Sequence, residues 1–284
     1  MQDISVAAVN FRAEFGQTEA NLNRIKHWTT RLAQQGAEII CFPEMSLCGY
    51  ERTEAVDAAA RPIPGRATDR LTAIAAEAGV TLLVGLAEVD AHKRRFISQV
   101  VVTPQGLAGV YRKTHLNLPE RDIFAAGDEP GVFDHPRCTF GVQLCYDAHF
   151  PELSTLQALA GAEILFVASA SPRDDPPVKK ERMLRYLPAR AYDNGCYLVA
   201  CNLVGHGARG QSFAGVALIL NPKGEVMAEA VGWEEGFALA RLHGHELERL
   251  RRTRMGYFLA HRRPELYAGL YAPRRTAGRS STDV

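Results

Sequence analysis

The chain has 284 residues, of which 46% are hydrophobic and 23% charged, and its formal net charge is +1. A near-neutral chain has no global field to draw in nucleic acid or an anionic membrane surface, and no apolar run approaches the roughly 20 residues that a membrane-spanning helix needs. At this length about three quarters of the unfolded surface is buried on folding, so the core needs no disulfide staples.

In chain order, Met1-Gln2-Asp3-Ile4 carries no basic or apolar leader, which points to a cytoplasmic protein. Residues 4–9 form an apolar run that reads as a buried strand. Thr18 is placed to cap a helix on which Ile25, Trp28 and Leu32 recur at helical spacing, and Gly36 to end it. A second buried strand, 37–42, stops at Pro43, which cannot donate to a ladder, so Glu44 falls just past a strand's carboxyl end. Leu71, Ile74, Ala75 and Ala78 make the apolar face of a second helix, stopped by Gly79. Strands are predicted at 81–89 and 96–103; the turn Pro104-Gln105-Gly106 returns the chain along 107–112 as a hairpin, with Lys113 at its far end.

The second half repeats this rhythm. A strand at 138–144 is followed by a helix opening at Pro151, with Leu153, Leu156 and Ala160 as its buried face. Residues 164–168 read as a strand. Leu184, Leu187 and Ala191 mark a helix ended near Asn194-Gly195, and 196–204 is again a strand. Residues 213–220, the turn Asn221-Pro222-Lys223-Gly224 and residues 225–230 form a second hairpin, before a last strand at 236–242 and a last helix at 246–254. Arg249, Arg251, Arg252 and Arg254 lie near that helix's C-terminus, where cations are favoured, as a solvated face. Pro188 falls inside the predicted helix, where it should cost about 3 kcal/mol or kink it; a misplaced boundary is the simplest explanation.

Each half thus runs strand, helix, strand, helix, strand, then antiparallel strands. Buried central strands with helices outside make a layered α/β structure, and two half-sheets packed face to face account for the repetition. One domain over residues 1–261 is followed by a tail, 262–284. There Tyr267, Leu270 and Tyr271 are expected to dock on a partner subunit, and the end, 280–283, to fray.

Three segments put an ionisable residue at the end of a buried strand: Phe42-Pro43-Glu44, Tyr111-Arg112-Lys113-Thr114-His115 and Leu144-Cys145-Tyr146-Asp147. Sheet enzymes build their sites at strand carboxyl ends, although a single charged residue there is usually only a solvated turn. The six cysteines, Cys41, Cys48, Cys138, Cys145, Cys196 and Cys201, include no Cys-x-x-Cys pair, so free thiols are expected and a structural zinc site is not. Most lie in apolar runs as small hydrophobes, Cys41 and Cys138 among them.

Cys145 differs. It sits on a sharp strand-to-helix turn, which presents a nucleophile and aims backbone N–H groups at an oxyanion. A free thiol has a pKa of about 8.5 and needs help to ionise. A carboxylate can take its proton, and a lysine between the two removes the repulsion of two anions and faces the developing oxyanion. The rival is a thiol–imidazole pair of Cys145 with His149 or His115, but no protease signature surrounds Cys145. His115 reads as a brace for its loop and His149 as a pocket residue. Gly205-His206-Gly207 with Gly210 fits no phosphate-loop spacing and reads as a flexible pocket loop.

These residues carry a resemblance. Phe42-Pro43-Glu44 with Gly49-Tyr50, Tyr111-Arg112-Lys113-Thr114-His115-Leu116, and Cys145-Tyr146-Asp147 with Phe150-Pro151-Glu152 resemble, in order and spacing, the three motifs of the nitrilase (carbon–nitrogen hydrolase) superfamily. Ala189-Arg190-Ala191-Tyr192-Asp193-Asn194, Phe213-Ala214-Gly215 and Asn221-Pro222-Lys223-Gly224 extend the similarity, which runs from Ile4 to about Ala240. The resemblance implies a four-layer αββα sandwich of two mixed sheets, with Glu44 as general base, Lys113 as oxyanion stabiliser and Cys145 as nucleophile. Glu120 sits where members carry a second glutamate that positions the lysine and the substrate's amino group; a surface salt bridge to Arg121 is the plainer alternative. Tyr146 and Asp147 stand where many nitrile-cleaving relatives have tryptophan and glutamate, which favours an amidase. Pro188 stands where relatives often have arginine.

The expected reaction is hydrolysis of a small, non-peptide amide through a thioester. Nitrile, N-carbamoyl or ω-amide hydrolysis is the alternative on the same fold, and a non-catalytic binding protein the remote one. The Tyr146 backbone N–H, His149 and Ser169 are expected to face the substrate, in a pocket shaped by loops 49–64, 116–131 and 169–177. No cofactor or metal enters this chemistry. The expected partners are the amide, water and, by the resemblance, further copies of the chain in a homodimer or larger assembly.

Overall fold

The computed structural model describes residues 1–267; Leu270, Tyr271 and residues 280–283 of the expected tail lie outside the described residues. Strand β1 (Ile4–Asn10) leads through α1 (Thr18–Gln34), β2 (Ile39–Cys41) and α2 (Arg66–Ala78) to an antiparallel run, β3 (Thr81–Val89), β4 (Arg95–Thr103) and β5 (Gly106–Arg112). After the one-turn helix α3 (Leu118–Arg121) come β6 (Val132–His135), β7 (Cys138–Leu144), α4 (Pro151–Leu159), β8 (Ile164–Ser169), α5 (Pro176–Leu184), α6 (Leu187–Asn194) and β9 (Tyr197–Asn202). A small hairpin, β10 (Gly205–His206) with β11 (Ser212–Phe213), precedes β12 (Gly215–Leu220), β13 (Val226–Gly232), β14 (Gly236–Leu242), α7 (Gly244–Arg252) and α8 (Pro264–Tyr267). No helix among the described residues is long and apolar enough to cross a membrane.

The strands form two six-stranded sheets, ordered β14-β1-β2-β3-β4-β5 and β13-β12-β9-β8-β7-β6. Each has three parallel strands at its centre, β1-β2-β3 and β7-β8-β9, flanked by antiparallel neighbours. Parallel neighbours need a crossover, usually helical, and the chain supplies α1 and α2 in one half and α4 with α5–α6 in the other. The result is the αββα sandwich of two mixed sheets, with its two halves repeating.

Strand β8 shows why the apolar runs are continuous rather than alternating. Ile164, Phe166 and Ala168 point into the core between the sheets, while Leu165 and Val167 pack under α4 and α6. A strand covered on both faces must be apolar at every position. All six cysteines are free thiols, and Cys41 of β2 and Cys201 of β9 bring their sulfurs to 3.8 Å across the sheet interface.

Three local expectations need correcting. Thr18 does not cap α1 but begins it, after Gln17, which makes no side-chain cap. Pro188 does not interrupt a helix: the chain breaks between α5 and α6, and Pro188 sits in the first turn of α6, where its missing N–H has no intrahelical partner to lose. On α4, Leu153 is buried as expected, but Leu156 is 56% exposed and Ala160 is exposed, while Ser154 and Gln157 are buried. The cause is Gln143 on β7, whose amide donates to Ser154 Oγ at 2.9 Å and Gln157 Oε1 at 2.8 Å. Gln157 in turn donates to the Val142 carbonyl. A buried polar group needs partners, and this requirement turns α4 away from its most apolar face.

Candidate active site

The carboxyl ends of β2, β5, β7 and β8 converge where the two sheets meet. Glu44 lies three residues past β2, Lys113 directly follows β5, and Cys145 directly follows β7. Two of these turns hold a side chain in left-handed backbone: Met45, next to Glu44, at φ 55° and Cys145 itself at φ 45°. Such residues cost about 1–3 kcal/mol each and persist only where their surroundings impose them. At the first turn the imposing element is β3. Leu47 donates to the Gly85 carbonyl at 2.8 Å, and a Cβ on Gly85 would run into the backbone of Pro43, Glu44 and Met45.

Lys113, Glu44 and Glu120 are fully enclosed. The Lys113 ammonium donates to Glu44 Oε1 at 2.7 Å and to Glu120 Oε1 at 2.9 Å. Glu120 also accepts the Tyr50 hydroxyl at 2.9 Å, and its second oxygen accepts the Asn117 backbone N–H that opens α3. The alternative of a surface pair with Arg121 does not occur, since Arg121 Nε donates to the Leu116 carbonyl instead. The second oxygen of Glu44 accepts the Ala170 backbone N–H at 2.8 Å, so a residue of the first sheet is gripped by the chain leaving β8 in the second. Cys145 is half-buried and faces this cluster, close enough for its charge state to act on that of Lys113 and Tyr50.

The electrostatics follow from this enclosure. Burial raises the Glu44 carboxyl to about 7, with Glu120 adding to the effect and Lys113 opposing it. Burial works against the charge on Lys113, but Glu44 and Glu120 outweigh it and hold its pKa well above the usual lysine value. Burial, then the charge of Glu44, pushes the Cys145 thiol up to about 12 against the pull of Lys113. Near neutral pH the cluster therefore holds a thiol and an ammonium, with the Glu44 carboxyl about half ionised and able to exchange a proton.

Each of the three expected pocket loops reaches this cluster: 49–64 through Tyr50, 116–131 through Glu120 and 169–177 through Ala170. Ser169 is buried and closes β8, and the group from this stretch that meets Glu44 is the next residue's N–H. Lys179 and Arg182 pin the same loop by donating to Ser171 Oγ at 3.0 and 3.1 Å. Tyr146 and His149 occupy the one-turn 3-10 helix Cys145–His149, whose first N–H groups have no intrahelical acceptor. His149 reaches the surface with its ring between Tyr146 and Tyr186, and the partial loss of water there, then Arg190 and Arg182, lower its pKa. The 205–213 loop is a tight hairpin whose Phe213 packs edge-on against Tyr50. Sequence reading did not single out Tyr50 for a role, nor Ala170 at all. A tyrosine inside a motif was a usable signal; a backbone donor offers none.

Among the described residues, Asp3, His243 and His245 bring ligand-type atoms within 4.8 Å of one another. They lie at the amino end of β1, away from the strand ends above, and Asp3 is already engaged by His243 Nδ1 and the Gly244 N–H, each at 3.0 Å.

The carbon-nitrogen hydrolase family model matches residues 5–252. The chain is 32% identical to a nitrilase of Pyrococcus abyssi over 93% of its length and 99% of the relative's. It is also 32% identical to an (R)-stereoselective amidase of a Pseudomonas species, over 89% of each chain. Among solved structures, an amidase of Nesterenkonia sp. AN1, a cysteine-to-alanine variant in complex with butyramide, superposes with a TM-score of 0.78 at 26% identity, covering 94% of this chain and 96% of that one. Another structure of that amidase shows Michael addition of acrylamide at its active-site cysteine.

Proposed function

The chain belongs to the carbon-nitrogen hydrolase family, a hydrolase family acting on non-peptide C–N bonds, and from this we propose that it cleaves a small amide through a thioester on Cys145. The observation that carries the reading is the enclosed ammonium of Lys113, held between Glu44 and Glu120 beside a thiol on a strained turn. In the mechanism, the Glu44 carboxylate takes the Cys145 proton as the sulfur attacks the amide carbon. The oxyanion that forms faces Lys113 and the Tyr146 N–H. Glu44 then gives its proton to the departing nitrogen, the C–N bond breaks, and ammonia or an amine leaves a thioester. Glu44 next deprotonates a water that attacks the thioester. The carboxylic acid departs, and the sulfur regains its proton. Glu120 holds the lysine in place and faces the leaving amino group.

That the Nesterenkonia amidase was solved with butyramide favours small aliphatic amides here too. The test is ammonia release across a panel of small amides, nitriles and N-carbamoyl amino acids. Turnover is expected on the amides; turnover confined to nitriles or N-carbamoyl compounds would overturn the amide assignment. With the best substrate, kcat/KM should fall about tenfold per pH unit below pH 7, because Glu44 must be ionised to accept a proton. A profile flat between pH 5 and pH 7 would exclude Glu44 as the base.

The reading includes self-association. Leu156 and Leu159 on α4 are 56% and 53% exposed, and Tyr192 on α6 packs at a tilt, 5.3 Å between ring centres, on Phe258, which is also exposed. Apolar side chains gathered on neighbouring helices mark an association surface, and a second copy supplies a matching face by symmetry. Replacing both Leu156 and Leu159 with glutamate should convert a dimer or larger species to a monomer in light scattering; an unchanged mass would remove this face from consideration.

A further inference from the structure

Resting on the reading of Cys145 and Lys113 as the working pair, we infer that Asp147 is a positioning residue whose carboxylate latches the segment carrying Lys113 to the turn carrying Cys145. Asp147 is fully enclosed and lies two residues past the sulfur. Its Oδ2 accepts the Tyr111 hydroxyl at 2.7 Å and the Leu144 backbone N–H at 2.9 Å. Its Oδ1 accepts the Thr114 hydroxyl at 3.0 Å, the His115 backbone N–H at 2.8 Å and His115 Nδ1 at 3.0 Å. Tyr111, Thr114 and His115 bracket Lys113 along the chain, and Leu144 directly precedes Cys145. The His115 ring stacks on Phe150 at 3.9 Å, which extends the brace to the residue that opens α4.

A buried carboxylate is costly unless every lone pair is met, and here the donors come from both segments at once. Asparagine is a poor replacement: an amide nitrogen accepts nothing, so whichever way the amide turns, either the Leu144 or the His115 backbone N–H would face another N–H. Burial, then the charge of Asp147, holds the Tyr111 pKa well above its ordinary value and keeps the hydroxyl a donor. A second tether exists on the same turn. Arg190 of α6 donates to the Ala148 carbonyl at 2.9 Å and the His149 carbonyl at 3.3 Å. Arg190 steadies the turn without touching the lysine segment, so it serves as a control.

The experiment compares wild type, Asp147→Asn, Tyr111→Phe and Arg190→Ala as full chains, measuring kcat and KM on the best amide and the rate of Cys145 alkylation by iodoacetamide. Alkylation forms no oxyanion, so it reports on access to the sulfur and on its ionisation, which Lys113 favours through its charge, and not on the placement of Lys113 at the oxyanion. Asp147→Asn should lower kcat about 100-fold, the cost of a misplacement near 1 Å, with KM and the alkylation rate within about threefold of wild type. Tyr111→Phe removes one donor and keeps the buried ring; it should lower kcat about tenfold in the same pattern, and it decides the matter if Asp147→Asn fails to fold. The latch is overturned if kcat stays within about twofold in the variants that fold, or if kcat falls while alkylation accelerates, as a merely loosened turn would do and as Arg190→Ala is expected to show. A wild-type enzyme without Cys145-dependent amide turnover would instead defeat the functional reading itself.

Discussion

Cys145→Ala is expected to lower amide turnover by at least about 10⁴-fold, the scale seen when a covalent nucleophile is removed from a unit that acts as one. Under the proposed mechanism nothing nearby replaces the sulfur, since Glu44 and Glu120 are both bonded to the Lys113 ammonium. Backbone strain does not confuse the comparison. Position 145 has φ 45°, and alanine, like cysteine, carries a Cβ there, so both endure the same left-handed conformation. Ammonia release gives the rate, and intact mass after acid quench during turnover should show an added acyl group on wild type and none on the variant. Turnover within tenfold of wild type in a folded Cys145→Ala protein would sink the assignment.

Lys113→Met is expected to cost at least about 10³-fold in kcat/KM, because it removes the charge facing the oxyanion and also disables the base. Without the ammonium, Glu44 loses the partner that opposes its burial and keeps Glu120 as a like-charged neighbour. Its pKa should therefore climb further, and at neutral pH it would hold a proton instead of taking one. Removing one partner from a buried ion pair typically costs about 3–5 kcal/mol of stability, so the melting temperature should drop as well. The pH dependence of that drop has a definite sign. With its folded-state pKa above the unfolded one, Glu44 binds more protons in the folded chain, and stability falls as pH rises. The gap in melting temperature between variant and wild type should thus be wide at pH 8 and narrow at pH 5. A gap independent of pH would mean that the ionisation of Glu44 does not depend on Lys113.

The strand ends were legible from local chemistry alone. Pro43 lies just past β2 and the turn at 104–106 returns the chain along β5, so Glu44 and Lys113 could each be placed beyond a strand's end, while their meeting in one site was implied by the resemblance of the motifs. The misreadings share one physical origin. Periodicity treats apolar residues as buried and polar ones as exposed, and α4 reverses this because Gln143 on a neighbouring strand requires Ser154 and Gln157 as partners. Pro188 looked like an interruption because a single helix was drawn through the gap between Leu184 and Leu187. Long-range contacts were out of reach for another reason. Asp147 gathers donors from residues 32 to 36 positions away, and nothing in the composition of either stretch announces the other.

The grip of Ala170 on Glu44 illustrates a wider point about inheritance. The hydrogen bond spans 126 residues and comes from the main chain. Every amino acid except proline carries that N–H, so any side chain small enough for the buried site at position 170 leaves the anchor in place. A cross-sheet restraint of this kind is invisible to alignment, and its loss would require either a proline or a bend in the path of the chain.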